Sequence, residues 1–201
     1  MGKGDRTIAT DIEVIKRIKA GDERLFAILI DRYKTKAMTL AFRMLKNTHD
    51  AEDAIQESFI RAFRSLPMFE ERSAFSTWFY RIVYNVCASE LRKTQQEYVY
   101  LDDDDAGNNE VEHNDWIPST LHEQTELENI TLREIEKLPA KYSGILTLYC
   151  FEELGYEEIS AVLQIPIGTV KTHLFRARLQ LRNAIAKHYH ITTEHPKGVH
   201  V

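Results

Sequence analysis

Apolar residues recur along this chain at intervals of three and four, and no strand-type alternation of useful length appears. Ile12, Ile15 and Ile18 predict a first helix, opened by a capping box of Thr10 with Glu13 and stopped at Gly21. Asp22 is expected to cap a longer helix that carries Leu25, Phe26, Leu29, Ile30 and Tyr33, then Leu40, Ala41 and Leu45. After a break at Asn47-Thr48, a third helix has the stripe Ala51, Ile55, Phe59, Ala62, Phe63 and Leu66, and Pro67 ends it. Beyond the loop Met68–Ser73, a fourth helix is predicted to about Lys93. It buries Phe75, Phe79, Ile82 and Val86 and leaves Tyr80 and Tyr84 on the opposite side. Four helices of this size share one core.

The pattern then lapses. Residues 95–127 hold four consecutive aspartates, Gly107-Asn108-Asn109 and Pro118, a composition that favours neither helix nor strand. Trp116 and Ile117 are its isolated apolar residues, read as a small docking contact. Helical period returns at Leu127, Ile130, Ile135 and Leu138. Pro139 opens a further helix with Tyr142, Ile145, Leu146 and Tyr149 on its core side. Two short helices joined at Gln164-Ile165-Pro166 follow. The first turns Ile159, Val162 and Leu163 inward; the second does so with Val170, Leu174, Ala177 and Leu181, and puts Thr172, Phe175, Arg176 and Leu179 roughly opposite. This is the layout of a helix-turn-helix whose second helix enters a DNA major groove.

Charge sharpens that reading. The net charge is -5, yet ten acids and no Lys or Arg lie between Leu101 and Glu128; elsewhere 26 basic residues face 21 acidic ones. The chain is therefore two mildly basic bodies with an acidic spacer. No acid occurs between Glu158 and Glu194, whereas Lys171, Arg176, Arg178, Arg182 and Lys187 all do, so a polyanion can approach. The fold expected is all-α: residues 1–94 and 128–190 as two small helical domains, 95–127 as an acidic flexible linker, and 191–201 as a frayed tail.

Other chemistry is thin. Cys87 and Cys150 fall in apolar helical patterns and are expected as buried reduced thiols of a cytoplasmic protein. His188, His190, His195 and His200 are too irregularly spaced for a metal site, and no cofactor or metal is expected. Neither a secretory signal nor an apolar run of bilayer length is present, and Arg6 spoils the myristoylation pattern of the Met-Gly start. No phosphate-cradling glycine loop or nucleophile elbow marks a catalytic centre, so no catalytic residue is assigned and no enzyme is expected.

The segment LPAKYSGILTLYCFEELGYEEISAVLQIPIGTVKTHLFRARLQLR resembles region 4 of extracytoplasmic-function (ECF) sigma factors of bacterial RNA polymerase. DAEDAIQESFIRAFRSL with FEERSAFSTWFYRIVYNVCASELRK resembles region 2 of the same family, in the same order and with the same kind of spacer. The resemblance implies three working surfaces and no small-molecule substrate. Asp50, Glu52, Asp53, Gln56 and Glu57 would dock on the clamp helices of the polymerase's largest subunit, with a further contact at its flap. Phe69, Arg72, Trp78, Tyr80, Arg81, Tyr84, Asn85, Arg92 and Lys93 would read and hold the melted minus-ten strand, by stacking and charge. Gly168, Thr169, Lys171, Thr172, His173, Phe175, Arg176 and Arg178 would read the minus-thirty-five element as duplex. There Arg176 would pair with guanine and Phe175 would meet a thymine methyl.

The acidic spacer would thread a basic polymerase channel in place of nucleic acid. An anti-sigma factor, membrane-anchored in many relatives, is the further partner implied. Three positions depart from the family pattern: His173 where Arg is frequent, Gln164 where Gly is frequent, and Gly155 in place of a Ser or Thr cap. A stand-alone helix-turn-helix regulator and a sigma-like anti-anti-sigma mimic remain open on sequence.

Overall fold

A computed structural model describes residues 9–101 and 126–188, without the side chains of 95–101 and 126–127. The helices are α1 (Asp11–Lys19), α2 (Phe26–Leu45), α3 (Thr48–Ser65), α4 (Phe75–Leu101), α5 (Glu126–Lys137), α6 (Ala140–Cys150), α7 (Tyr156–Leu163) and α8 (Ile167–His188), with no strand among the described residues. The calls on the spacer from Asp102 to Thr125, on Trp116 and Ile117, and on the tail with His190, His195 and His200 lie outside them.

Helices α1–α4 form a front unit and α5–α8 a back unit. Thr10 and Glu13 make the expected reciprocal box, with the Thr10 N–H donating to Glu13 Oε2 at 2.7 Å and the Glu13 N–H donating to Thr10 Oγ1 at 3.3 Å. Gly21, at φ 110°, turns the chain where a side chain would strain it. The Asp22 cap is corrected: residues 23–25 form a short 3-10 turn, α2 starts at Phe26, and the Asp22 carboxylate accepts from Arg17 at 2.9 Å instead. Asn47 caps α3 by accepting from the Asp50 N–H at 3.1 Å. The front core joins Leu29, Leu40, Phe59, Phe75 and Phe79, with the Phe59 and Phe79 rings stacked 4.7 Å apart.

The predicted end of the fourth helix is corrected: α4 runs through Leu101 rather than ending near Lys93. Residues 94–101 contain neither Gly nor Pro, and extending an existing helix is cheap until a strong breaker arrives. Ile82 is only half-buried, and Val83 takes the buried place expected for it. Ile12 and Phe63, placed on apolar stripes, are exposed, and Cys150, the last residue of α6, lies at the surface while Cys87 is buried.

The two units pack on each other, α6 against α2 and α7 against α4. Gly144 of α6 lets these backbones close: a Cβ there would sit 3.3 Å from Met44 Cγ and 3.8 Å from the Tyr84 ring. Arg43 is 5% exposed at this junction. Its guanidinium stacks 3.8 Å from the Phe151 ring centre and donates to Thr147 Oγ1 at 3.3 Å, while its carbonyl accepts from the Ser143 hydroxyl at 2.7 Å. Burial pushes the guanidinium down to about 10.

Candidate nucleic-acid and polymerase interfaces

The back unit builds its reading surface from the turn outward. Ile159 and Val162 on α7 and Val170, Leu174 and Ala177 on α8 are buried and hold the two helices together. Gln164 adopts the left-handed conformation (φ 55°, ψ 41°) that a Gly would adopt more cheaply. The turn is tied by the Ser160 hydroxyl donating to the Ile165 carbonyl at 2.6 Å. Gly155 offers no side-chain oxygen, but its N–H donates to Glu158 Oε2 at 2.9 Å, which keeps half of a capping box.

Gly168, Lys171, Thr172, Phe175, Arg176 and Arg178 are exposed along one side of α8, with Thr169 half-buried beside them. Phe175 is 67% exposed, a large apolar ring facing solvent among the described residues. The Thr172 hydroxyl donates back to the Gly168 carbonyl at 2.9 Å, so its oxygen lone pairs are what it presents outward. His173 departs from this group. Half-buried, it meets the Tyr142 ring edge-on at 6.0 Å, and burial, then Lys141 and Arg176, hold its pKa below the ordinary histidine value. These effects favour the neutral imidazole over the cation.

On the front unit, Asp50, Glu52, Asp53 and Gln56 are exposed on α3, and half-buried Glu57 pairs with Arg61 at 2.6 Å. A groove of about 240 Å³ between α3 and α4 is lined by Asp50, Asp53, Glu57 and, from α4, Glu90. Neither Glu90 nor Ile60 is among the residues the sequence assigns to this surface. Ile60 is 45% exposed, three residues beyond Glu57. Its place off the Ala51-Ile55-Phe59-Ala62 stripe was the available signal.

The minus-ten residues divide. Arg72, Arg81, Asn85, Arg92 and Lys93 are exposed. Phe69 is buried against Trp78 at 5.0 Å and beneath Lys19, whose ammonium donates to the Phe69 carbonyl at 2.6 Å. Trp78 is half-buried. The expected exposure of Tyr80 and Tyr84 is corrected. Tyr80 is 1% exposed, its hydroxyl donating to Glu152, and Tyr84 is half-buried against Gly144. Burial, reinforced by the Glu152 carboxylate, holds the Tyr80 phenol protonated far above its usual range. Lys36 approaches Glu152 at 3.4 Å, and the neighbouring Thr77 hydroxyl donates to Glu158 at 3.1 Å. The back unit thus covers part of the surface assigned to the melted strand, because α4 has a second core on its far side.

Two family models match in order: sigma-70 region 2 over residues 29–97 and sigma-70 region 4 over residues 129–181. The chain is 40% identical over 177 residues to the ECF RNA polymerase sigma factor SigW of Bacillus subtilis, covering 85% of this chain and 94% of that protein. The chain belongs to the ECF sigma-factor family. It is also 36% identical over 183 residues to the ECF RNA polymerase sigma-E factor of Haemophilus influenzae, covering 88% of this chain and 95% of the relative. Among solved structures, the fold is similar to sigma factor RpoE of Bartonella quintana in complex with the anti-sigma factor NepR. There the TM-score is 0.63 at 22% identity, covering 80% of this chain and 96% of that one. It is similar also to CnrH in complex with the cytosolic domain of CnrY, with TM-score 0.60 at 18% identity, over 87% of this chain and 96% of that one. Both are likenesses of fold. In this ECF sigma factor α2–α4 fall within region 2 except for three residues at the start of α2 and the last turn of α4, and α7 with α8 as far as Leu181 falls within region 4. Among the described residues no helix is long and apolar enough to cross a membrane, and no cluster of three or more metal-ligating side chains occurs.

Proposed function

We propose that this chain is the promoter-specificity subunit of a bacterial RNA polymerase. Region 2 docks on the polymerase through the acidic face of α3 and takes up the melted minus-ten strand along α4. Region 4 reads the minus-thirty-five duplex with α8. The observation that carries this reading is the outer side of α8, where Phe175 and Arg176 stand in solvent beside the exposed Lys171. A mimic kept only to sequester an inhibitor has no use for that basic face.

Phosphodiester synthesis belongs to the polymerase, and the chain supplies binding and positioning alone. It works in the cytoplasm with the polymerase, and an anti-sigma factor binding across the two units is the class of partner that holds it inactive. The acidic spacer occupies a basic polymerase channel in the assembled holoenzyme.

Transcription from promoters altered in one element at a time tests the division of labour. Arg176→Ala is expected to lose discrimination at minus-thirty-five by about 1–3 kcal/mol while keeping it at minus-ten. Asn85→Ala does the opposite. Equal losses at both elements in both variants would overturn the assignment.

A further inference from the structure

Two tyrosines outside every surface described above sit directly under two of the cations on α8. Tyr149 lies one residue before the end of α6, and Tyr156 is the first residue of α7. The loop between those helices folds back so that the two rings stack, 5.7 Å between centres with planes 18° apart. Arg178 lies over the Tyr149 ring at 4.7 Å and Lys171 over the Tyr156 ring at 5.8 Å. The two cations are seven residues apart, about two turns and roughly 10 Å along α8, so a ring pair of this length meets both.

Neither cation has a carboxylate partner among the described residues. Arg61, Arg72 and Lys93 are instead each paired with a glutamate at 2.6–2.8 Å. The difference has a physical consequence. A carboxylate partner fixes a cation but neutralises it and occupies its N–H groups. An aromatic face fixes it and does neither, because the guanidinium lies flat and its N–H edge stays free for a phosphate. We infer that Tyr149 and Tyr156 form a two-ring platform that positions Arg178 and Lys171, with full charge and free donors, for the phosphates flanking the minus-thirty-five element. The phosphate role rests on the proposed function above; the platform rests on the rings alone. Both tyrosines are positioning residues.

The test uses holoenzyme reconstituted with core polymerase, measured for affinity to a minus-thirty-five promoter duplex across a salt series. Arg178→Ala is expected to flatten the log–log salt dependence by about 0.9, the loss of one phosphate contact. Tyr149→Met, which keeps the bulk and removes the aromatic face, is expected to weaken binding about two- to five-fold. Tyr149→Phe is expected to match wild type. The loss from Tyr149→Met should vanish in an Arg178→Ala background. Additive losses, an unchanged salt slope for Arg178→Ala, or failure of Tyr149→Phe to rescue would overturn the inference.

A second measurement needs no variant. In the free wild-type chain, the Arg178 side-chain Nε–Hε resonance is expected upfield, shifted by the ring current of Tyr149, and an unshifted resonance would also overturn the platform. Failure of wild-type holoenzyme to bind promoter would instead contradict the sigma reading and the phosphate role, while an upfield Arg178 signal would leave the platform standing.

Discussion

The phenol of Tyr80 on α4 donates a hydrogen bond to the carboxylate of Glu152, which belongs to the loop after α6, so a region 2 aromatic is held by a region 4 acid. The Glu152 side chain is 3% exposed and also faces Lys36. Beside it Thr77 is tied to Glu158, and Arg43 is inserted between Thr147 and Phe151. A melted strand cannot reach Tyr80 while these contacts stand. Taking up the strand at Tyr80, as proposed above, therefore requires the two units to open.

Glu152→Ala removes the acceptor and leaves the buried Tyr80 hydroxyl unpaired in the closed form, a cost of roughly 1–3 kcal/mol. The population of separated units should rise accordingly. Fluorescence energy transfer between dyes on α3 and α8 of the free chain is expected to fall in the variant. An unchanged distance distribution would show that Glu152 does not hold the units together.

Lys46, in the left-handed position that ends α2, has its ammonium buried with no hydrogen-bond partner among the described residues. Burial pushes its pKa down from 10.5 to about 8, with Glu136 opposing the shift and Arg43 adding to it. Between those two values the unfolded chain binds more protons than the folded one. This group's contribution to stability therefore rises with pH across that window and is least favourable below pH 8. Lys46→Met should be more stable than wild type at pH 7 by roughly 1–3 kcal/mol, and the gap should close as pH climbs past 10. Denaturant unfolding of both proteins at several pH values checks this; a variant less stable at pH 7, or a gap that ignores pH, contradicts it.

Burial and neighbouring positive charge favour the neutral form of His173. Wild-type holoenzyme is expected to gain minus-thirty-five affinity as pH falls below the ordinary histidine range. His173→Arg should bind more tightly at pH 7.5, steepen the salt dependence by up to about 0.9, and lose the pH effect. Parallel pH profiles for the two proteins would remove His173 from the interface.

Asp50, Glu52 and Asp53 are exposed, and Asp53 meets His49 at 3.3 Å with both side chains largely exposed. Asp53→Lys should leave thermal stability nearly unchanged and weaken core-polymerase binding several-fold, more at low salt than at high. Full affinity in titrations against core polymerase would assign those acids to solvation alone.

The helices and the reading side of α8 were legible because each depends on local period and local charge. The Val170-Leu174-Ala177 stripe decides by itself which way Phe175 and Arg176 face. Tyr80 was not legible. Its burial depends on a partner helix more than seventy residues away, and a wheel drawn for one core assigns every residue off that stripe to solvent. Arg43, inside the run Ala41-Phe42-Arg43-Met44, carried a local hint, since a lone cation in an apolar stretch needs either solvent or a partner. The Tyr149–Tyr156 platform left none, because its rings come from two helices and its cations from a third.

Promoter-directed transcription by purified core polymerase, with and without this chain, bears most directly on the account. Start-site-specific transcripts should appear only when the chain is present and should be lost with Arg176→Ala on an intact minus-thirty-five promoter. A chain that neither joins core polymerase nor changes where it starts would contradict the account at its root.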